Sequence, residues 1–209
     1  SILACYLPLN LSEMISNKLV NYSTKNNLFN DLIQTQIKDH LREEELKKSI
    51  NSFDTISDNI SKKVRDQYEE NPYPRWKYTN IIPKNNFLSI LNHDIYPNKI
   101  NLNNNNLTRD ILIAGCGTGQ QLVSNASYEN SDILAVDLSL SSLSFAKRKM
   151  QELNHTNIEF LHGDILNLNN LNKKFSVIEC VGVLHHLKYP EEGLKVLLNI
   201  LEPNGYLKL

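Results

Sequence analysis

Asp110-Ile-Leu-Ile-Ala-Gly-Cys-Gly-Thr-Gly-Gln-Gln121 decides how the rest of the chain is read. Four apolar residues, Ile111 to Ala114, run straight into Gly115, Gly117 and Gly119, and Leu122, Val123 and Ala126 follow in a helical pattern. A buried strand, a tight glycine turn and a helix start are expected. The glycines let the backbone approach a ligand closely, and a helix start offers N–H groups to it. A nucleotide-like ligand suits such a turn. Plain tight turns also carry glycines, so this stretch alone leaves both readings open.

Downstream, apolar runs alternate with helical patterns, which argues an α/β fold with a parallel sheet. A second strand is read at Ile133–Val136, ending on Asp137, with Ser139 placed to cap a helix lined by Leu143, Ala146 and Met150. A third strand is Ile158–Leu161, followed by His162-Gly-Asp164, and a fourth is Phe175–Val181, leading to Gly182-Val-Leu-His-His186. A helix opening at Pro190 carries Leu194, Leu197, Leu198 and Leu201 at i, i+3, i+4, i+7. Pro203-Asn-Gly205 stops it, and Tyr206–Leu209 begins a fifth strand.

Upstream, residues 1–70 read as helical. Phe29, Leu32, Ile33 and Ile37 recur at helical spacing, and Arg42-Glu-Glu-Glu45 with Lys47 and Lys48 reads as a solvated helix face. A further helix carries Ile56, Ile60, Val64 and Tyr68 on one stripe and ends at Glu69-Glu-Asn71. Residues 71–106 read as a lid and linker. Two prolines keep Asn71-Pro-Tyr-Pro-Arg-Trp76 from being helical throughout. That segment is either a rigid strap over the next domain or a lid giving side chains to a ligand site. Phe87–Leu91 reads as a short helix, and Asn101–Asn106 as a polar linker before a domain at 107–209.

A length of 209 residues allows one full domain and a smaller accessory region. A net charge of −1 gives no reason to invoke nucleic acid or an anionic membrane. Cys5, Cys116 and Cys180 form neither a disulfide framework nor a zinc spacing, so no metal site is expected and a reducing cytoplasm is. Ser1–Pro8 is too short to span a bilayer and reads like the middle of a helix, which suggests a cut chain.

Ligands of parallel sheets bind beyond the carboxyl ends of the strands. Here four successive strand ends carry Gly115–Gly119, Asp137, Asp164 and the pair His185, His186. Asp137 is placed to accept both hydroxyls of an adenosine ribose, and Asp164 to accept from an adenine amino group. Each also has a plainer reading: helix cap, turn residue, structural histidine. A nicotinamide site is disfavoured, because its fingerprint has two residues between the second and third glycines and here only Thr118 separates Gly117 from Gly119. A cofactor-binding module without catalysis stays open beside an enzyme.

Ala114-Gly-Cys-Gly-Thr-Gly119, Val136-Asp137, Gly163-Asp164, Gly182–His186 and Leu201-Glu-Pro-Asn-Gly205 together resemble the ordered motifs of class I S-adenosylmethionine-dependent methyltransferases, over about residues 107–209. Val64-Arg-Asp-Gln-Tyr-Glu-Glu-Asn-Pro-Tyr-Pro-Arg-Trp76 with Ile178-Glu-Cys-Val-Gly-Val-Leu-His-His186 resembles bacterial methyltransferases carried behind tetratricopeptide repeats. The resemblance implies a Rossmann-like parallel sheet with strand order 3-2-1-4-5, and two further strands that this chain lacks, so a C-terminally truncated fragment is expected. It implies S-adenosylmethionine as cofactor and a protein or small-molecule methyl acceptor. By position, Gly115, Cys116, Gly117 and Gly119 would lie against the methionine moiety, Asp137 and Leu138 at the ribose, Asp164 and Ile165 at the adenine, and Val181 and Gly182 near the sulfonium. Many relatives carry an acid two residues before the first glycine, near the cofactor's amino group. Here that position is Ile113, so Tyr68, Arg75 or Gln120 is expected to serve the amino-acid end, with the planar fork of Arg75 suited to the carboxylate. His185 or His186 is the candidate general base, with Tyr73 positioning the acceptor.

Overall fold

The apolar run ahead of the glycine turn is a strand whose last four residues are all buried. The computed structural model describes residues 2–80, 82–99 and 109–209; the asparagine run 101–106 lies outside the described residues. In chain order the strands are β1 (Asn51–Ser52), β2 (Arg109–Ala114), β3 (Ser131–Asp137), β4 (Ile158–His162), β5 (Phe175–Glu179) and β6 (Leu201–Lys208). The α-helices are α1 (Glu13–Leu19), α2 (Asn27–Ile33), α3 (Asp39–Lys47), α4 (Asn59–Glu70), α5 (Phe87–Asp94), α6 (Leu122–Asn125), α7 (Leu140–Glu152) and α8 (Pro190–Ile200).

Contacts group Ser1–Ser49 as one compact unit and Ile50–Leu209 as another. In the first, α2 runs through a π-helical stretch, Gln34–Lys38, into α3. Leu9, Ile33 and Ile37 form its buried core, and Phe29 and Leu32 pack against them, as their helical spacing requires. The charged run of α3 departs from the expected solvated face at one residue: Glu43 is 3% exposed, one turn before buried Leu46.

In the second unit all strand pairings are parallel, in the order β1-β4-β3-β2-β5-β6. The five expected strands take the expected order. The structure adds β1 at the edge, inside the stretch 1–70 that the sequence reads as helical. Two paired residues are too short to show a period of two. Side chains alternate between two cores, as a sheet covered on both faces demands. Ile111, Ile113, Ile133, Ala135 and Val177 join a cluster with residues of α5, α6 and α7. Leu112, Ala114, Leu134, Val136 and Ile178 join another with α8 and the 3-10 turn Ile165–Leu171.

Several element boundaries differ from the sequence reading. Ile56 precedes α4, because the Asp58 carboxylate caps that helix by accepting from the Ile60 and Ser61 N–H groups, both at 2.8 Å. Ser139 caps α7 as expected, accepting from Ser142 N–H at 3.0 Å. Leu201 does not continue the α8 stripe. It begins β6 opposite Phe175, and Pro203-Asn-Gly205 bulges out before Tyr206 rejoins the ladder opposite Val177. Asn204 takes the left-handed conformation the bulge needs, at φ 63°. The helix after the glycine turn is only one turn long.

Candidate functional site

The strand ends open onto one cavity of about 640 Å³. Of the residues singled out from sequence, Tyr68, Gly115, Cys116, Gly117, Gln120, Asp137, Leu138, Asp164, Ile165, Val181, Gly182 and His186 line it, and so does Tyr73. The two carboxylates from successive strands therefore face one chamber together with the glycine turn. Gly119, Arg75 and His185 do not line it.

The glycines divide by what a side chain would meet. At Gly119 (φ 77°) a Cβ would lie 2.7 Å from Ala146 Cβ, so this residue serves the packing of α7 against the turn. At Gly117 (φ 52°) and Gly182 (φ 71°), both at the cavity wall, a Cβ would meet no atom within 4 Å. These two leave the space into which a ligand can press against backbone.

The turn's own N–H groups are largely engaged within the protein. Gly115 and Cys116 both donate to Val136 carbonyl, Gly119 donates to Cys116 carbonyl, and Gly117 donates to Asp137 Oδ2 at 2.7 Å. This corrects the expected row of ligand-facing donors: a diphosphate needs such amides, and these four already have acceptors. Asp137 is held at both oxygens, since Oδ1 accepts from Ser139 N–H at 2.9 Å. Burial pushes its pKa up, opposed by those hydrogen bonds and by nearby His162. Each oxygen keeps a lone pair for a ligand hydroxyl. Asp164 Oδ1 accepts from Leu166 N–H at 3.0 Å, opening the turn that presents Ile165. The Cys116 thiol is raised well above its ordinary value by burial and by Asp137, and Cys180 is pushed up to about 12 by burial. Neither is a thiolate nucleophile at neutral pH.

The proline segment divides between the two functions read for it. Trp76 Nε1 donates to Thr118 carbonyl at 3.0 Å, and Thr118 Oγ1 donates to Pro74 carbonyl at 2.6 Å, so the segment straps down the glycine turn. Tyr73 and Pro74 line the cavity. Arg75 instead lies over the Phe145 ring, 4.6 Å from its centroid, and Trp76 meets the same ring edge-on. A guanidinium stacks readily on an aromatic face, which draws it away from the cavity. Tyr68 of α4, also at the cavity, makes an edge contact with His186. Burial and neighbouring His185 lower the His186 pKa below its ordinary 6.5.

Sequence reading missed a polar group on β5 and α6. Glu179 is 4% exposed and lines the cavity. It accepts from Gln121 Nε2, from Asn125 Nδ2 at 2.8 Å and from Tyr128 OH at 3.4 Å. Its register partner on β2 is Ile113. The available signal was a lone acid ending a mostly apolar strand. Among the described residues, no group of three or more His, Cys, Asp or Glu side chains is arranged to hold a metal ion. No described helix is long and apolar enough to cross a membrane.

Residues 111–205 match the family model described as a methyltransferase domain. This supports a class I S-adenosylmethionine-dependent methyltransferase segment, and the sheet has the Rossmann-like order expected of one. Two curated relatives are an uncharacterized protein of Synechococcus, 38% identical over 101 residues, and the mitochondrial ubiquinone biosynthesis O-methyltransferase of Schizosaccharomyces pombe, 31% identical over 103. These alignments cover 47% and 48% of this chain, but 24% and 37% of the relatives, so the chain spans well under half of either. Among solved structures, PKMT2 from Rickettsia typhi in complex with AdoHcy is 31% identical, covering 47% of this chain and 19% of that one, with a TM-score of 0.42.

Proposed function

We propose that this chain binds S-adenosylmethionine in the strand-end cavity and moves its methyl group to an acceptor. The observation that carries the reading is that Gly117, Asp137, Asp164 and Gly182, from four successive strand ends, face one chamber. The residues fit the group. Asp137 holds the ribose hydroxyls, Asp164 and Ile165 flank the adenine, Gly115, Gly117 and Gln120 lie against the methionine portion, and Val181 and Gly182 form the floor by the sulfur. When bound, the cofactor supplies a methyl group on a cationic sulfur with a neutral leaving group. The protein's task is then to align an acceptor and exclude water. Tyr68 and Tyr73 line the acceptor side. His186, neutral at pH 7, accepts the acceptor's proton where that acceptor is protonated. His185 is outside the cavity and has no such role. The likeness of residues 64–76 and 178–186 to proteins carrying tetratricopeptide repeats supports a protein or peptide acceptor.

Isothermal titration with S-adenosylhomocysteine and with NADH tests the binding step. Saturable binding of the first and none of the second is expected, with Asp137→Ala abolishing it. A chain that binds NADH, or neither ligand, overturns the reading. Methyl-tritiated S-adenosylmethionine then separates acceptors, since label precipitating with protein is expected and label confined to small molecules would exclude a protein acceptor.

A further inference from the structure

Glu179 is a carboxylate taken out of water beside the cavity, and its three hydrogen-bond donors are all uncharged: Gln121, Asn125 and Tyr128. Neutral donors orient a buried carboxylate but do not neutralise its charge. Burial and Glu179 itself both push the Tyr128 phenol pKa up, so Tyr128 stays a neutral donor. Lys208, register partner of Glu179 on β6, also lines the cavity and its pKa is held up against burial by Asp94 and by the Glu179 charge, but its Nζ is hydrogen-bonded to Asp94 Oδ2 at 3.0 Å and makes no hydrogen bond to Glu179 among the described residues. A second observation is independent of the charge. A carboxylate can only accept, so Asn125 must turn Nδ2 toward Glu179. Its Oδ1 is then a buried acceptor with no donor, on a side chain that is 1% exposed and lines the cavity.

A buried anion and a buried orphan acceptor on one cavity wall ask for a cation with several N–H donors. We propose that Glu179 and Asn125 form a subsite for a primary ammonium, and that its occupant is the α-ammonium of the cofactor's amino-acid end. An ammonium offers three donors, enough for both groups, and its charge matches Glu179. Gln121 and Tyr128 are positioning residues that hold the carboxylate toward the cavity. The inference rests on the methyltransferase reading and deepens it. β2 offers no acid at this depth, because Ile113 is apolar, and Glu179 stands directly across the ladder on β5.

The test uses the whole chain and three probes: S-adenosylhomocysteine, its des-amino analogue, and 5′-methylthioadenosine, which has no amino-acid end. Glu179→Gln is expected to weaken S-adenosylhomocysteine roughly 10- to 100-fold, the range for losing a hydrogen bond to a charged group, and to leave 5′-methylthioadenosine within about twofold. Unchanged S-adenosylhomocysteine affinity overturns the subsite, and so does an equal loss for both ligands, which would make the network a scaffold. If Glu179→Gln does not fold, Glu179→Asp keeps the charge, and the wild-type chain is titrated with the des-amino analogue. Equal affinity of that analogue and S-adenosylhomocysteine overturns the proposal without any variant. A wild-type chain that binds 5′-methylthioadenosine but fails these tests keeps the adenosyl site and loses only the ammonium assignment. One that binds none of the probes loses the methyltransferase reading as well.

Discussion

Gly117→Ala and Gly119→Ala, two residues apart in one turn, should fail in opposite ways. Both glycines have positive φ, so an alanine at either costs about 1–2 kcal/mol of backbone energy. At Gly117 the new Cβ meets nothing within 4 Å, and no further folding cost arises. At Gly119 it would sit 2.7 Å from Ala146 Cβ and 3.2 Å from Ala146 Cα, backbone of α7 that cannot swing aside. Overpacking of that kind adds about 1–3 kcal/mol, for a total of about 2–5 kcal/mol. The chain's single tryptophan reports on this turn, because Trp76 donates to Thr118 carbonyl. Urea unfolding followed by Trp76 fluorescence should therefore show Gly119→Ala much less stable than wild type and Gly117→Ala modestly so. Titration with S-adenosylhomocysteine should show Gly117→Ala losing at least roughly tenfold in affinity, the equivalent of about 1.4 kcal/mol. If Gly117→Ala binds as tightly as wild type, the open space at its Cβ is not the ligand's. If Gly119→Ala unfolds at the wild-type midpoint, the packing argument is wrong.

Glu69 joins α4 to the start of α7: its carboxylate accepts from Ser139 Oγ at 3.0 Å, Ser141 N–H at 3.0 Å and Ser141 Oγ at 2.8 Å. Neutralising it at a helix N-terminus in Glu69→Gln should lower stability by about 1–2 kcal/mol in the same urea assay; no change would show the clamp to be idle. Asp58 has a folded pKa below its ordinary 3.8, set first by the Ser61 N–H it caps. Its contribution is thus fully present above pH 4 and lost as pH falls through the lowered value. The stability gap between wild type and Asp58→Ala should accordingly be constant near neutrality and close in acid. A gap that persists below pH 2 would refute the capping charge. The His186 imidazole, lowered by burial and His185, should titrate below 6.5 by proton NMR, and a midpoint above that value would remove it as a base neutral at pH 7.

Local pattern and topology rules carried the sheet a long way. Apolar runs such as Ile111–Ala114 are buried on both faces and read as strands whatever surrounds them. The alternation with helices then makes the sheet parallel, and ligand-facing residues at strand ends follow from chain direction alone. That is why Asp137, Asp164 and Gly182 could be named before any coordinates. Two-residue β1 and the bulge at Pro203–Gly205 were not legible, because pairing with β4 and β5 determines them and nothing in their own residues signals it.

Side-chain destinations divided along the same line. Residue types told of an arginine fit for a carboxylate and a histidine pair fit for proton transfer. Only packing sent Arg75 to the Phe145 ring and brought His186, without His185, to the cavity. The Glu179 group shows the limit most clearly. Gln121, Asn125 and Tyr128 sit on and beside α6, whereas Glu179 lies more than 50 residues further on, and they converge because β5 pairs with β2, the strand that leads into the glycine turn. A chain fixes its strands by short-range pattern, since burial acts on every second or third residue. Which distant polar groups then share one desolvated wall is decided when the strands are laid side by side.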